Sequence, residues 1–306
     1  MVRSMKKSAQ TDAALFAANA KSEGSEIAIR DRRFSHAADT GPKLVADRWW
    51  VGGDPFATAV FNSLSLSFPR GEAYFVESVR AFRDGVPPAL AQDIRAFIAQ
   101  EVNHSREHLG FNRALVAGGY DTRDLDEIIR NVLDQARQRP AIVSLAATMG
   151  LEHFTAMFAH LLLAAPGLLP ATDPALAEMW HWHAIEEIEH KAVAYDTYLH
   201  ATKDWPRLKR WKLKALMMLL ITRNFLTLRY QGAIELLRQD GITGWRAHWG
   251  VLRYAFAKPG LVRRVIPQWI AYFLPGFHPW NRDDRYLVAR AEAVRPQPTR
   301  EGEAQD

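Results

Sequence analysis

Three Glu-x-x-His pairs occur in this sequence: Glu101 with His104, Glu178 with His181, and Glu187 with His190. With 16 Glu and 11 His in 306 residues, composition alone yields about 0.6 such matches. Residues three apart on an α-helix share a face, so each pair can offer a carboxylate and an imidazole to one ion. Two further acids, Glu72 and Glu152, interrupt apolar stripes elsewhere in the chain. An ionised carboxylate on an apolar face carries a large desolvation penalty. No Lys or Arg interrupts these stripes, so the expected counter-charge is a pair of divalent metal ions. The candidate ligands are Glu72, Glu101, His104, Glu152, Glu187 and His190.

Glu186 competes with Glu187 for the fourth carboxylate. Glu187 is preferred because it keeps the three-residue spacing of the Glu101/His104 pair. Glu178 lies nine residues before Glu187, about half a turn out of phase, so Glu178 and His181 are expected on a surface or a second interface. His108 and His183 fall one turn beyond His104 and nearly two turns before His190. They are the candidate catalytic residues, as extra ligands or proton shuttles; the alternative is histidines bonded to a carboxylate. His153 is off the stripe and reads as a packing or helix-interface residue, whereas His160 could line the cavity. Tyr74 and Tyr195 read as interfacial.

The elements that must position these groups are helical. Pro and Gly punctuate the chain between Asp54 and His200, and the segments between lack the alternation of strands. The first helix runs from around Pro69 to Arg83, or starts as early as Asp54 with Pro69 as a kink. The second runs from Pro88 to Ala117 and stops at Gly118-Gly119. The third runs from Pro140 to Ala165. The fourth starts at the Asp173-Pro174 pair and runs to His200. A long link, residues 120–139, joins the second and third and holds a helix of its own around Leu125 to Ala136. One long crossover among four long helices is the connectivity of a ferritin-like bundle.

The motifs Phe68-Pro-Arg-Gly-Glu72, Gln100-Glu-Val-Asn-His104 and Trp182-His-Ala-Ile-Glu-Glu-Ile-Glu-His-Lys191 resemble a bacterial family described as predicted metal-dependent hydrolases, within the ferritin-like di-metal carboxylate superfamily. The resemblance covers roughly residues 45 to 290. It implies a metal site at Glu72, Glu101, His104, Glu152, Glu187 and His190.

The expected architecture is all-α: a ferritin-like four-helix bundle over residues 26–203 and a basic, Trp-rich helical extension over 204–293. Residues 1–25 and 294–306 are expected to be disordered. The chain has no cysteine, which excludes disulfides, Cys-ligated zinc or iron–sulfur sites and a thiol nucleophile. A thiolate-free, carboxylate-rich site suits iron, with manganese or zinc as alternatives. The expected activity is O2-dependent oxidation of a hydrophobic or lipid-like small molecule by a di-iron centre, with an external electron donor. A two-metal hydrolase is the alternative, and a non-catalytic metal-binding protein the third reading.

Charge is uneven. Residues 205–265 carry 13 Lys or Arg against two acids, Glu235 and Asp240. With Trp and Leu interleaved, residues 205–280 suit either a layer packed on the bundle or a peripheral membrane contact. No nucleic-acid module is recognisable. Residues 1–30 lack a continuous apolar run, so no secretory signal is expected. The expectation is a cytoplasmic homodimer whose basic region packs on the bundle, with membrane association through that region as the alternative.

Overall fold

The computed structural model describes residues 27–34 and 48–294. The expected disorder of residues 1–25 and of the tail after Val294 lies outside the described residues. Among those residues there are helices and turns and no strands.

Helix α1 is Pro55–Arg80. Asp54 starts it: its carboxylate accepts from the N–H groups of Phe56 and Ala57, and Pro55 fills the first turn. This is the longer of the two expected boundaries, with Pro69 inside the helix. Helix α2 is Pro88–Ala117, closed by Gly118 and by Gly119, whose φ of 91° only glycine adopts readily. Helix α3, Arg123–Arg137, forms the crossover. Helix α4 is Ala141–Ala164. Helix α5 is Pro174–His190, capped by Asp173 on the N–H groups of Ala175 and Leu176.

The fourth expected helix differs from the sequence reading. It does not run unbroken to His200. A turn at residues 191–192 separates α5 from α6, Val193–Ala201. The interruption coincides with Lys191, which is buried, and its ammonium bonds to Arg282 O at 2.7 Å and Asp284 Oδ2 at 3.1 Å. The basic region is helical too: α7 is Arg207–Gln239, α8 Gly244–Phe256, α9 Leu261–Ala271 and α10 Arg285–Val294.

Helices α1 and α2 pack together, as do α4 and α5. Contacts of α1 with α4, and of α2 with α5 and α6, close the bundle. Phe97, Phe111, Leu145, Met149, Met179, Ile185 and Ile188 fill its interior. Helix α7 lies across α1 and α4, α8 packs on α1 and α7, and α9 and α10 pack on α4. Helix α4 is long and apolar enough to cross a membrane. Here its apolar residues, Leu145, Met149 and Met157 among them, are buried inside the bundle.

Residues 27–34 form an irregular segment against α2 and α5. Ala28 O accepts from Gln100 Nε2 at 3.0 Å, and Arg30 forms an ion pair with Glu189 at 2.7 Å. Phe34 packs against Trp182, with ring centroids 5.4 Å apart.

Candidate metal centre

Each of the four bundle helices delivers carboxylates or imidazoles to one interior point. Glu72 comes from α1, Glu101 and His104 from α2, Glu152 from α4, and Glu187 and His190 from α5. All six are at most 4% exposed. His190 Nε2 lies 3.1 Å from Glu101 Oε1, 3.4 Å from Glu152 Oε2 and 3.4 Å from Glu187 Oε2. His104 Nδ1 lies 3.9 Å from Glu101 Oε1 and 3.8 Å from Glu187 Oε1. Three overlapping ligand groups result: Glu101 with Glu152 and His190; Glu101 with His104 and Glu187; and Glu72 with His104 and His183.

The donor set passes a direct test for cations. Eight buried atoms here have no hydrogen-bond partner: Glu72 Oε1, both oxygens of Glu101 and of Glu152, Glu187 Oε2, His104 Nδ1 and His190 Nε2. Each of the six residues contributes at least one. Buried polar atoms are otherwise almost always satisfied. Carboxylate and imidazole atoms crowded at 3–4 Å with no hydrogen-bond partner are what a metal ion would satisfy.

The far sides of the ligands are, in contrast, well bonded. His104 Nε2 meets Glu186 Oε2 at 3.0 Å, and His190 Nδ1 meets Gln100 Oε1 at 2.8 Å. Each imidazole thus spends its N–H on an outer partner and turns a lone pair inward, the arrangement that orients metal-ligating histidines. Ser105 Oγ donates to Glu72 Oε2 at 2.8 Å, and Trp182 Nε1 donates to Glu186 Oε1 at 2.9 Å.

A hydrogen-bonded chain leads to His183. Asn112 Nδ2 is committed to Ser65 O at 3.1 Å, so Asn112 Oδ1 takes the Ser65 hydroxyl proton at 2.7 Å. Ser65 Oγ then accepts from His108 Nδ1 at 2.8 Å, and His108 Nε2 accepts from His183 Nδ1 at 2.7 Å. His183 Nε2 in turn lies 2.8 Å from Glu187 Oε1, a contact that a proton or a cation between the two atoms completes.

Protein charges alone satisfy this cluster poorly. Burial, then the neighbouring acids, pushes the Glu101 carboxyl well above the usual range. Burial also raises Glu72 well above that range and Glu152 to about 7. Burial opposes charge on Glu187 and on His190 as well. Their mutual attraction, added to the His183 hydrogen bond on Glu187 and the Glu152 carboxylate beside His190, outweighs it, holding Glu187 low and His190 high. His104 is held well below its ordinary value by burial and then by His183. Two divalent ions would balance four carboxylates and leave the imidazoles neutral.

The geometry separates the two competing acids. Glu187 points among the ligands, while Glu186 lies behind His104. His183 joins a ligand group, and His108 reaches the centre through it. His160 does not line the centre: it bonds Asp284 Oδ1 at 3.0 Å and the Arg282 guanidinium, because α10 and the loop before it cover that turn of α4. His153 is an interface residue, 3.2 Å from Gln268 O and packed on Tyr272 and Phe277. Tyr195 is interfacial, donating to Phe277 O at 2.6 Å. Glu178 lies outside the centre, paired with Arg32 at 2.6 Å. Gln100, Ser105 and Trp182 were not singled out as site residues from the sequence, and Glu186 was weighed only as a ligand, not as the partner of His104. Their only signal was position, each next to or within a turn of a ligand.

A cavity of about 350 Å³ lies between α4, α9 and the loop before α10, and none of the six candidate ligands lines it. Its wall includes His153 and Lys191, the residues that follow Glu152 and His190, with Ala156, Met157, Leu274 and Phe277.

A family model described as "Predicted metal-dependent hydrolase" matches residues 29–283. No curated protein and no solved structure matches the chain.

Proposed function

The chain belongs to the family of predicted metal-dependent hydrolases, and from that premise we propose a two-metal enzyme with Glu72, Glu101, His104, Glu152, Glu187 and His190 as ligands. The eight partnerless donor atoms carry this reading. Carboxylates and imidazoles without thiolate suit iron or manganese. Two irons would supply reducing equivalents to dioxygen, and the proposed reaction is O2-dependent oxidation of a hydrophobic or lipid-like substrate with an external electron donor.

The oxidative reading is compatible with the burial of every ligand: dioxygen is small enough to enter through packing fluctuations, and the organic substrate of either reaction needs a wider path. The cavity between α4, α9 and the loop before α10 is within the usual size range for small-molecule sites and mostly apolar in its lining, so it is the proposed substrate site. The chain's own residues handle protons and orientation. Glu186 and Gln100 hold the two imidazoles, and His183 and His108 link Glu187 to Ser65.

The family description and that histidine chain favour hydrolysis as a second reading. Paired divalent ions lower the pKa of bound water, and His183 could accept the released proton. Metal analysis of the purified protein, followed by anaerobic reduction and exposure to oxygen, separates the two. Iron with oxygen consumption supports oxidation. Zinc or manganese, no response to oxygen, and cleavage of ester or phosphate substrates support hydrolysis.

A further inference from the structure

Helix α8 is apolar on two opposite faces. Ala247, Val251 and Tyr254 are buried against the body of the protein. Trp245, Trp249, Leu252 and Phe256, spaced i, i+4, i+7 and i+11, form a second stripe that faces outward. Trp245 is 79% and Trp249 61% exposed. A helix that only packed as a layer on the bundle would turn polar residues to water on this side.

Basic residues accompany the stripe. Arg246 and Arg253 lie on one flank of it and are exposed. Helix α9, packed on α8, adds exposed Arg263 and Arg264 beside exposed Ile266 and Ile270. The two acids of residues 205–265 are already engaged: Glu235 with Arg238 at 2.8 Å, Asp240 with Arg48, Trp49 and Tyr120. Among the described residues, no acid forms an ion pair with Arg246, Arg253, Arg263 or Arg264.

We propose that this face of α8, extended by α9, docks on an anionic phospholipid bilayer. Indole rings and aliphatic side chains enter the headgroup–acyl boundary while arginines meet lipid phosphates, the pattern of interfacial helices. The charge argues against a second copy of this chain as occupant, because two such faces would bring arginines against arginines.

The test uses the full chain and sedimentation with vesicles of phosphatidylcholine alone or mixed with phosphatidylglycerol. The wild type is expected to bind the anionic vesicles, more weakly as salt rises. A Trp245→Ser/Trp249→Ser variant is expected to bind them at least about tenfold more weakly. An Arg246→Ser/Arg253→Ser variant is expected to lose affinity and much of the salt dependence. Both should keep the wild-type melting temperature and metal content, because the replaced side chains are exposed. Absence of binding to anionic vesicles, or equal binding by folded variants, overturns the proposal. So does a wild-type dimer that the tryptophan variant converts to monomer, which would assign the face to a second copy.

Discussion

Glu186 and Glu187 are consecutive, yet they stand on opposite sides of the His104 ring. Glu186 Oε2 lies 3.0 Å from His104 Nε2, and Glu187 Oε1 lies 3.8 Å from His104 Nδ1. One acid holds the imidazole from outside; the other shares the space its lone pair faces. The two should fail differently when substituted. Glu186→Ala should keep the full metal stoichiometry and weaken affinity about 10- to 100-fold, the usual cost of losing an outer hydrogen bond to a ligand. Glu187→Ala should lower the stoichiometry itself. Competition against a chromophoric chelator reads both quantities.

Burial raises the Glu152 carboxyl to about 7, so near neutral pH the metal-free protein bears part of the cost of a buried charge. Glu152→Gln removes it. After chelation this variant is expected to melt higher than the wild type, and to gain less than the wild type when metal is returned. Metal at a hundred times its dissociation constant stabilises the wild type by about 2.7 kcal/mol. Calorimetric melts with and without chelator measure the crossing of the two orders.

Lys214 on α7 is buried, donates to Tyr272 O at 2.7 Å and lies 4.7 Å over the Tyr272 ring centroid. Burial, then Arg210, lowers its pKa from 10.5 to about 8. The folded state therefore binds fewer protons than the unfolded state between these values, and stability from this group rises with pH across that window. Relative to Lys214→Met, the wild type should gain stability from pH 8 upward, by at most about 3 kcal/mol in all. Urea unfolding of both proteins at a series of pH values gives the difference; a flat difference contradicts the assignment.

Helix α7 approaches α1 at Gly232, where a methyl group would collide with Ser63 Oγ. Gly232→Ala is expected to cost about 1–3 kcal/mol by overpacking. The paired variant Gly232→Ala/Ser63→Gly should recover most of the loss. Thermal melts of the two variants test whether this contact limits the docking of α7.

Much of the candidate centre was legible because its signals are local. Asp54-Pro55 and Asp173-Pro174 mark helix starts through N–H groups only two and three residues away. The spacing of Glu101 with His104, and of Glu187 with His190, needs no partner to be recognised, since helical period alone places both on one face. The end of α5 was harder to read. Nothing within a turn of Lys191 announces the break; the groups its ammonium reaches, Arg282 O and Asp284, are 91 and 93 residues further along the chain.

From residue type and spacing alone, the sequence determined an all-helical chain with four acids and two imidazoles on buried faces. Tertiary structure decided the rest. It turned Glu187 inward and Glu186 behind His104, brought His183 within 2.7 Å of His108, moved His160 onto Asp284, and left the tryptophans of α8 facing outward. The reason is physical: spacing sets which residues share a face, but the rotation of each helix about its axis is set by side chains packing from distant parts of the chain.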